Sequence, residues 1–510
     1  MRKIVMGLGI VLVGGLAACS LLLPEGMVVR GPMLSSMLFG KTVDAPDENT
    51  VQGRFQAPDG YRVELYAEGL SHARFMRFSP DGSLLLSQPR QGQILHVLAD
   101  RDGDGRSDGN RVLLKGLDRP HGLDFHGGYL YVGETGAIVR VPISESGLDT
   151  ISATGPVEPI VTGLPPGENH WTKTVRFGPD GGLYFHVGSS CNVCEEEDER
   201  RATIMRFEPD GSGGEIYASG LRNSVGFDWR PGTNELYATD NGRDLLGDDY
   251  PACELNRVER GGFYGWPYAN ANPDGSTDAD PDFGEGNEDR VAATIAHAHA
   301  FGGHNAPLGI TFLRSPATPP ALQGAALVAL HGSWNRSRLS GYKVVSLHWD
   351  AHGAITERDF LTGFEIDEDV IGRPADVIEG TDGSIYVSDD YAGAIYRVHR
   401  GEAGSAASLS VPAAQPRAID NPLAELDAEA QERLDLAGHA LYVANACATC
   451  HEADQALPGI VAKPLDGLGA KYSLDTLTTF FLTPTPPMPV FDLSDEERRA
   501  LAVHLLSRFE

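Results

Sequence analysis

Residues 177–185 read Phe177-Gly178-Pro179-Asp180-Gly181-Gly182-Leu183-Tyr184-Phe185, with β-forming residues on either side of an Asp-Gly turn. Asp-Gly between two such runs is a strong hairpin signal, because glycine adopts a positive φ angle without steric cost. Similar units occur elsewhere in the chain, at 78–86, 123–132, 227–237, 310–328 and 377–387. Units of about 45 to 80 residues are each too small to bury an apolar face alone. The sequence therefore predicts a six-bladed β-propeller at residues 58–400, rather than one β-sandwich.

The length and composition are those of a globular protein with more than one domain. The chain has 510 residues, of which 41% are hydrophobic, enough for two or three domains with sizeable cores. Its formal net charge of −30 offers no basic surface to neutralise phosphates, so we expect no nucleic-acid partner. An acidic surface favours solubility and is compatible with calcium binding and with a cationic redox partner. Residues 24–57 are predicted to be loop, and the Ala-, Ser-, Gly- and Pro-rich stretch 401–421 to be a linker.

A short motif near the C terminus indicates a covalently bound c-type haem. Cys447-Ala448-Thr449-Cys450-His451 is a C-x-x-C-H sequence, in which two thiols add to the haem vinyl groups and the histidine ligates the iron. Met488 follows 37 residues after His451, between prolines that exclude a helix, and is the candidate second axial ligand. His/Met ligation raises the haem potential and suits electron transfer. A disulfide or half of a zinc site is the alternative, but no second C-x-x-C lies nearby in the sequence to complete a zinc site.

A helix is predicted to lead into this motif. Residues 425–446 have an amphipathic pattern, with Leu434, Ala437, Leu441 and Ala444 on one face. Such a helix would present its apolar face to the haem-binding core.

A second helix is predicted after Met488. The residues from Ser494 to Glu497 form a capping box, and the helix that it begins would turn Leu501 and Leu505 inward. With these flanks, residues 425–510 resemble the cytochrome c domain family. The expected fold class is thus an all-β six-bladed propeller followed by a small all-α cytochrome c domain.

The N terminus predicts export and attachment to a membrane. A positive start at residues 1–3 is followed by an apolar run, 4–18, and then by Cys19. This pattern resembles the lipobox of bacterial lipoproteins, in which the cysteine becomes the lipidated first residue and 1–23 is a signal and tether. The apolar run can also be counted as 4–23, which is 20 residues and long enough for one transmembrane helix. Glycines in the run and the position of Cys19 favour the lipoprotein. In either case we expect a periplasmic, membrane-anchored protein.

The remaining cysteines fit an oxidising compartment. Cys191 and Cys194 form a C-x-x-C that Glu195 follows instead of histidine, so it is not a haem site. We expect a Cys191–Cys194 disulfide, although either cysteine could pair with Cys253.

Two local motifs contain metal-ligating residue types. The loop from Asp100 to Asp108 spaces carboxylates two residues apart, as calcium loops do, but lacks the distal bidentate glutamate of an EF-hand. It is either a calcium site or a solvated acidic turn. His297, His299 and His304 have no carboxylate or cysteine to complete a ligand set, so a structural or pocket-lining role is favoured.

The propeller region also carries a series of ordered motifs. They are Asn169-His170, Arg176 to Gly181, Gly220 to Asn223, Thr239 to Asp244, Glu254 to Val258, Tyr264 to Pro267, His331 to Arg336 and Gly372 to Val377. In this order, over residues 58–400, they resemble the pyrroloquinoline quinone (PQQ)-dependent sugar dehydrogenases, closest to the sorbosone and pyranose dehydrogenase branch. Several ordered motifs are far more specific than any one alone.

The resemblance implies a PQQ site and a catalytic base at one end of the propeller channel. PQQ carries three carboxylates, which guanidinium groups bind as planar forks, so Arg222, Arg336 and Arg373 are the implied ligands, with Asn223 as a neutral donor. His170 matches the base of the family, which takes the hydroxyl proton of the substrate while hydride leaves its carbon. The ordinary pKa of histidine lies near working pH, as a general base requires.

The resemblance also implies a calcium ion that polarises the reactive carbonyl of PQQ as a Lewis acid. In the similar soluble glucose dehydrogenases a Gly-Pro pair holds this ion through backbone carbonyls, and Gly242-Arg243 stands at the matching place. The chain departs from those enzymes at Arg243, at Val225 where they have a polar residue, and at Arg373 where they have two arginines. These departures leave the sugar specificity open.

The sequence thus predicts a quinohaemoprotein oxidoreductase. The propeller would oxidise a sugar-like alcohol or aldehyde at PQQ, and the haem would pass the electrons to an external acceptor. The alternatives are a calcium-dependent propeller lactonase, and a non-catalytic propeller that docks partners and uses the haem as a relay. Acidic side chains around a metal in the channel would favour the lactonase, whereas a haem weighs against a hydrolase.

Overall fold

The computed structural model describes residues 43–166, 169–401, 423, 426–452, 465, 468, 472–482, 484, 488, 491 and 493–508. The chain divides into two compact units, one reaching to Ala413 and the other starting at Ala414. Among the residues in these ranges, no helix is both long and apolar enough to cross a bilayer. The predicted signal and tether with Cys19, and residues 402–421 of the predicted linker, lie outside the described residues.

The N-terminal unit contains six antiparallel sheets, which are the blades of a β-propeller. It begins with α1 (Glu48–Arg54) and β1 (Tyr61–Ala67). Blade 1 consists of β2 (Met76–Phe78), β3 (Leu84–Gln88), β4 (Gln93–Val97) and β5 (Asn110–Lys115). Blade 2 consists of β6 (Leu123–His126), β7 (Tyr129–Gly133), β8 (Ala137–Ser144), β9 (Ser152–Ala153) and β10 (Glu158–Thr162). Blade 3 consists of β11 (Val175–Phe177), β12 (Leu183–Val187), β13 (Thr203–Phe207) and β14 (Glu215–Ser219).

Blades 4 to 6 follow the same plan, with an insertion inside blade 4. Blade 4 consists of β15 (Phe227–Trp229), β16 (Leu236–Asp240), β17 (Cys253–Val258) and, after the insertion, β21 (His299–Phe301); the insertion contains β18 (Gly262–Phe263), β19 (Ala269–Ala271), β20 (Thr277–Ala279) and α2 (Glu288–Ala292). Blade 5 consists of β22 (Pro307–Phe312), β23 (Ala326–Leu330), β24 (Lys343–Trp349) and β25 (Ile355–Leu361), and the short hairpin of β26 (Glu365–Ile366) and β27 (Asp369–Val370) follows it. Blade 6 contains β28 (Pro374–Glu379), β29 (Ile385–Asp389) and β30 (Ala394–Arg400). The inserted β18 pairs in parallel with β14 of blade 3.

The predicted six-bladed propeller is confirmed, and each predicted repeat contains the hairpin of the first two strands of one blade. The turns explain why the pattern recurs. In three of these hairpins an aspartate side chain accepts the backbone N–H two residues ahead at 3.0 Å, and a glycine with positive φ lies between them. The pairs are Asp81 with Ser83, Asp180 with Gly182 and Asp382 with Ser384. Short polar side chains that bond their own backbone in this way favour turns over longer strands.

Each interface between neighbouring blades has its own apolar cluster, so the core is a ring of six clusters. Successive residues of a strand point to opposite faces of its sheet. In β3, Leu84 and Leu86 therefore pack toward blade 6, while Leu85 packs toward blade 2. Both faces of the inner strands are buried, which explains why these strands read as continuous apolar runs.

The ring is closed by the N-terminal segment. β1 pairs with β30 and becomes the outer strand of blade 6. The prediction of loop for residues 24–57 is wrong at α1, whose N-cap Asp47 accepts the N–H of Thr50 at 2.8 Å. Val51 and Phe55 pack into the cluster between blades 5 and 6, and this tertiary contact stabilises a helix too short to form alone.

Aspartates on the first strands of alternate blades hold the next blade in place. Each accepts a backbone N–H from the first strand of the following blade, and these pairs are Asp124 with Phe177 at 2.7 Å, Asp228 with Phe312 at 2.8 Å and Asp376 with Met76 at 2.8 Å. Arg77 and Arg314 form ion pairs with the first two aspartates, each at 2.8 Å. Several of these groups line an open cavity of about 760 Å³ at the channel end where the first strands finish.

The described part of the C-terminal unit is helical, with α3 (Ala428–Ala444), α4 (Ala448–His451), α5 (Leu474–Phe480) and α6 (Asp495–Arg508). The predicted capping box is present, since Ser494 and Glu497 exchange side-chain and backbone hydrogen bonds at the start of α6. Leu501 and Leu505 are buried as predicted.

The predicted inward face of α3 is partly wrong. Leu434 and Leu441 pack against the core, but Ala437 and Ala444 are exposed, and Gly438 and Tyr442 are buried instead. The reason is a close approach of two helices, because a Cβ atom added at Gly438 would lie 2.1 Å from the carbonyl oxygen of Ala500. Packing against α6 therefore sets the rotation of α3.

Candidate functional site

The polar residues predicted to form the site lie at the channel end opposite the cavity of about 760 Å³. In an antiparallel blade the first strand begins where the second strand ends, so the preceding loops and the following loops meet at one end. The segments that meet there are 169–174, 188–194, 220–223, 241–244, 331–336 and 389–390. The topology therefore brings together residues that are far apart in the sequence.

His170 lies in the loop before β11 and has the geometry of a general base. Its Nδ1 lies 2.8 Å from Ser189 Oγ and 3.0 Å from the Ser189 carbonyl oxygen. Because the carbonyl can only accept, Nδ1 carries the proton, and the lone pair is left on Nε2, which has no partner among the described residues. Burial and the Arg222 charge lower the pKa of His170 to about 3, so the ring is neutral at physiological pH. Its φ of 42° is rare for a non-glycine residue and is a common feature of functional sites.

Gly188 allows His170 and Asn223 to approach each other. A Cβ atom added at Gly188 would lie 2.5 Å from the Cβ of His170 and 3.0 Å from Asn223 Oδ1. That Oδ1 is buried and has no hydrogen-bond partner among the described residues. A buried acceptor without a partner is costly, and a ligand that donates to it would remove this cost.

The Arg222 guanidinium is buried, and all of its nitrogens donate to protein oxygens. Nε bonds the Asn192 carbonyl at 2.9 Å, and Nη2 bonds Asn192 Oδ1 at 3.0 Å. Nη1 bonds the carbonyls of Asn241 and Gly242 at 3.1 and 3.0 Å. Arg222 therefore contributes a fixed positive charge beside His170 rather than a free fork of donors.

Asp244 joins the cluster from the loop after β16. It accepts from Asn335 Nδ2 at 3.0 Å, contacts His304 Nδ1 at 3.3 Å and lies 3.5 Å from Arg222 Nη2. Burial acts to raise the pKa of Asp244, but the His304 hydrogen bond and the Arg222 charge outweigh it and lower the pKa. His304 has a structural role, because its Nε2 also lies 2.8 Å from the Gly247 carbonyl oxygen, and His299 likewise bonds Glu357 at 2.9 Å.

The Gly242 carbonyl, one of the predicted calcium ligands, already contacts the guanidinium group of Arg222. The Gly242 carbonyl accepts from Arg222, and the Arg243 side chain turns away to form a buried ion pair with both oxygens of Asp280 at 2.9 and 2.7 Å. Arg243 also bonds Asp282 and so anchors the insertion of blade 4.

Two carboxylates beside this position could hold a metal ion. Asp240 and Glu254 are paired across β16 and β17, and Asp240 also accepts the backbone N–H groups of Arg222 and Asn223. Burial raises the pKa of Asp240 to about 7, and burial together with the Asp240 charge raises that of Glu254 to about 8. Two acidic groups in this position either retain a proton or are neutralised by a cation.

Arg373 belongs to a second cluster at the same end, formed by blades 1, 5 and 6. Its Nη2 donates to His331 Nδ1 at 2.8 Å, so His331 donates from Nε2 to Asp390 at 2.9 Å. Asp390 also pairs with Arg74 at 2.6 Å. Burial and the Arg373 charge lower the pKa of His331 to about 4. Nε of both Arg74 and Arg373 is buried and lacks a partner among the described residues.

Arg336 is not brought into either cluster. Its Nη1 donates to the carbonyls of Asp248 and Gly303, and its Nη2 pairs with Asp249 at 2.8 Å. The guanidinium thus anchors neighbouring loops, while the adjacent Asn335 reaches Asp244.

The predicted disulfide between Cys191 and Cys194 is present, and Cys253 is a buried free thiol. At the acidic loop, oxygens of Asp100, Asp102 and Asp108 lie within 4.8 Å of one another. Both oxygens of Asp100 accept backbone N–H groups of the same loop, as an acidic turn also would, and the calcium site stays a prediction.

In the C-terminal unit, Cys447 directly precedes α4, and His451 ends it. Met488 packs against the apolar core of this unit. The side chain of Cys450 lies outside the described residues. Haem ligation by these residues stays a prediction.

Sequence reasoning missed Ser189, Asn192, Asp390 and Arg74. Asn192 lies between the two disulfide cysteines, which was the one signal that could have identified it. Arg74 and Asp390 belong to no motif, and only the closure of the ring brings them together with Arg373.

Comparisons with known proteins show the family of this chain. The TrAA12-like family matches residues 55–401. An uncharacterized protein of Borreliella burgdorferi is 30% identical over 369 residues, 68% of this chain and 92% of that protein. The PQQ-dependent pyranose dehydrogenase of Coprinopsis cinerea is 26% identical over 433 residues, 72% of this chain and 56% of that enzyme.

Solved structures show the same fold. The holo form of the pyranose dehydrogenase PQQ domain from Coprinopsis cinerea superposes with a TM-score of 0.58 at 22% identity, covering 70% of this chain and 100% of that chain. A calcium structure of a Trichoderma reesei AA12-family enzyme gives a TM-score of 0.59 at 22% identity, covering 68% and 97%. Since the family match extends over well more than half of its residues, the chain belongs to the TrAA12-like family.

Proposed function

We propose that the propeller is a PQQ-dependent oxidoreductase that oxidises a sugar or a related alcohol or aldehyde. The observation that carries this proposal is the neutral His170, with Nε2 open beside Asn223 and the buried Arg222 charge. The named pyranose dehydrogenase relative, of which this chain spans about half, supports the choice of cofactor.

His170 acts as the general base. Nε2 accepts the proton of the substrate hydroxyl, while Ser189 keeps the other ring nitrogen protonated and fixes the orientation of the ring. Burial and the Arg222 charge leave Nε2 unprotonated at neutral pH, but a pKa of about 3 lies well below the working pH at which a general base is most effective. The carboxylates of bound PQQ would raise this pKa. Bound PQQ would supply the two-electron acceptor for the substrate carbon.

The residues at this end of the channel fit a flat polyanion. Arg222 supplies a fixed positive charge, and Arg373 and Arg74 each have a buried Nε without a partner among the described residues. An anionic cofactor would be attracted by the three guanidinium groups and held by the side chains that are still unpaired. Arg336 is not included in this set, because its guanidinium is already bonded to the Gly303 carbonyl and to Asp249.

A calcium ion at the Gly242 and Arg243 carbonyls belongs to the same proposal. Arg222 already donates to the Gly242 carbonyl, so an ion there would lie close to a guanidinium charge. The carboxylates of Asp240 and Glu254 are the nearby groups able to offset that repulsion.

The test is reconstitution of the full-length protein. The apoprotein is loaded with PQQ, with and without calcium, and sugars and aldehydes are screened with an artificial electron acceptor. We expect PQQ-dependent oxidation of at least one sugar. Hydrolysis of a lactone with calcium alone, without PQQ-dependent oxidation, would favour the lactonase and contradict the proposal.

We further propose that the C-terminal unit is a cytochrome c domain that takes the electrons. Cys447 and Cys450 would bind the haem covalently, His451 and Met488 would ligate its iron, and an external cytochrome or quinone-linked acceptor would follow. A periplasmic protein anchored at Cys19 would allow both cofactors to be used, since haem attachment and the disulfide need an exported chain. A red protein whose haem survives denaturation, reduced by substrate only when PQQ is present, would support this relay.

A further inference from the structure

A small disulfide loop contacts two residues of the proposed site, Arg222 and His170. Only two residues lie between Cys191 and Cys194, so their disulfide joins no distant elements and fixes only residues 189–194, here called the disulfide loop. Both cysteines are partly exposed. A cross-link of this kind mainly limits the conformations of the loop itself.

Asn192 of the disulfide loop provides acceptors for Arg222 on one side. Its backbone carbonyl accepts from Arg222 Nε at 2.9 Å and from Trp266 Nε1 at 3.3 Å. Its side-chain Oδ1 accepts from Arg222 Nη2 at 3.0 Å and from the Asp244 N–H at 2.8 Å, while Nδ2 donates to the Asp244 carbonyl at 3.0 Å. Removing acceptors from a buried guanidinium is costly, because the charge cannot recover them from water.

The same loop sets the tautomer of His170. Ser189 Oγ donates to the Cys191 carbonyl at 2.8 Å, which leaves its oxygen free to accept from His170 Nδ1 at 2.8 Å. The hydrogen bonds therefore run from the histidine through Ser189 to a disulfide cysteine. This arrangement keeps the lone pair on Nε2, where the proposed reaction needs it.

We propose that the disulfide loop is a redox-sensitive positioning element for the cofactor site, with Asn192 as the residue that positions Arg222. This inference rests on the proposed function. With the disulfide formed, Arg222 and His170 are held for binding and catalysis. When a dithiol reduces the disulfide to two thiols and is itself oxidised to a disulfide, the loop gains freedom, and PQQ binding and turnover weaken together.

The first test is PQQ binding to the full-length Asn192→Ala apoprotein, measured by calorimetric titration in the presence of calcium. The variant keeps the backbone carbonyl and loses only Oδ1 and Nδ2. We expect its Kd for PQQ to rise by about tenfold to hundredfold, the effect of losing a hydrogen bond to a charged group. Asn110→Ala, an exposed residue of β5, is the matched control and should bind like the wild type. Equal affinity of N192A and wild type would overturn the inference.

A double-mutant cycle with Arg222→Lys separates positioning from general damage. If Asn192 acts through Arg222, N192A should weaken binding much less in the R222K background than in the wild type. Fully additive losses would show that Asn192 acts elsewhere and would overturn the assignment. If wild-type protein binds no PQQ, the proposed function itself fails, and this outcome is distinct from a variant that binds as tightly as a competent wild type.

The redox part is tested on the folded wild type, without any substitution. A phosphine and water reduce the disulfide, the phosphine becoming its oxide, and iodoacetamide then caps both thiols before excess reagents are removed. Mass spectrometry should show two added groups, with Cys253 unmodified because it is buried. We expect a higher Kd for PQQ and slower turnover, and the C191S/C194S variant should behave alike. Unchanged affinity and turnover in both preparations would overturn the switch.

Discussion

The two ends of the propeller channel are built from the same residue types but organise them differently. At the end where the first strands finish, Asp124 and Asp228 occupy equivalent positions two blades apart, and each accepts the backbone N–H of a phenylalanine in the next blade. At the end where those strands begin, Asp240 and Asp389 accept backbone N–H groups within their own blades and do not link one blade to the next. There, Arg222 and His170 are held by loops, and Asn223 is left with an open acceptor.

The difference separates structural from functional polarity. The carboxylates of Asp124 and Asp228, which accept backbone N–H groups and pair with Arg77 and Arg314, stabilise the ring without a ligand. A cluster that occurs once, contains a strongly shifted pKa and leaves buried atoms unpaired has the features of a functional site. The predictions below test this division, first at the functional end and then at the structural one.

The largest effect is expected for His170→Ala. Loss of the general base should lower substrate-driven reduction by about 10²-fold to 10⁴-fold. The measurement is the rate of PQQ-dependent oxidation in the reconstituted protein. The absorption spectrum of the dithionite-reduced haem should be unchanged, because the haem motif is not altered.

A histidine at the other end of the channel is the matched control. His126 stacks on Phe177 at 4.4 Å near the end of the first strands, and His126→Ala should leave turnover close to that of the wild type. Turnover that survives in H170A would remove the base assignment and, with it, the division between the two ends.

The second effect is on stability, at the structural end. Asp228→Ala removes the acceptor of Phe312 N–H and both contacts to Arg314, so we expect a loss of about 2–4 kcal/mol in the free energy of unfolding. Denaturant unfolding of the propeller measures it, and exposed Asp118→Ala is the control. PQQ affinity should stay unchanged in D228A at concentrations where it is folded. A stable D228A with impaired PQQ binding would contradict the division.

The sequence predicted the propeller because its signal is local. A turn such as 180–182 needs an aspartate and a glycine at fixed spacing, and six returns of the unit specify the ring. The family resemblance also assigned His170, Arg222 and Asn223 to one site, and the structure brings them together because each lies just before a first strand. Their roles stay predictions. The described residues do not test the haem prediction.

The rest depends on contacts that no local pattern contains. Arg222 and Arg336 look alike in sequence, yet one is enclosed by Asn192 and the other by Asp248 and Asp249. Only the folded chain shows which guanidinium is buried beside the base. The buried face of α3 also differs from the predicted one. The close contact between Gly438 and α6 sets the rotation of this helix, and the apolar pattern of the sequence does not contain that contact.

The third prediction concerns the pH dependence of turnover. The pKa of His170 is lowered to about 3, so the base stays deprotonated as pH falls from 8 toward 5. We expect kcat/KM to show no titration near 6.5, the ordinary pKa of histidine. A pH–rate profile over this range is the measurement. An acidic limb centred near 6.5 would show that the bound cofactor or solvent raises the pKa of the ring to its ordinary value in the working enzyme.

The fourth prediction concerns the haem and is independent of both channel ends. If Met488 ligates the iron, Met488→Ala should lower the haem potential by on the order of 0.1 V, since axial ligands tune this potential over about 0.8 V. Potentiometric titration of the full-length protein measures it. An unchanged potential would remove Met488 from the ligand set, while leaving the propeller assignments intact.

The last effect is expected from Glu254→Gln, and it appears only at high pH. Burial and the Asp240 charge raise the folded-state pKa of Glu254 to about 8, above its unfolded value. The folded state therefore binds more protons than the unfolded state between about pH 4 and 8, and stability falls as pH rises through this window.

Glutamine is neutral throughout and can still accept from Asn256 Nδ2, which bonds Glu254 at 2.7 Å. In chelator-treated protein, E254Q should melt at a higher temperature than wild type at pH 8.5 and at nearly the same temperature at pH 4. A gain of equal size at both pH values would mean that packing, not the buried charge, is responsible, and the carboxylates beside Arg222 would then resemble the structural aspartates of the opposite end.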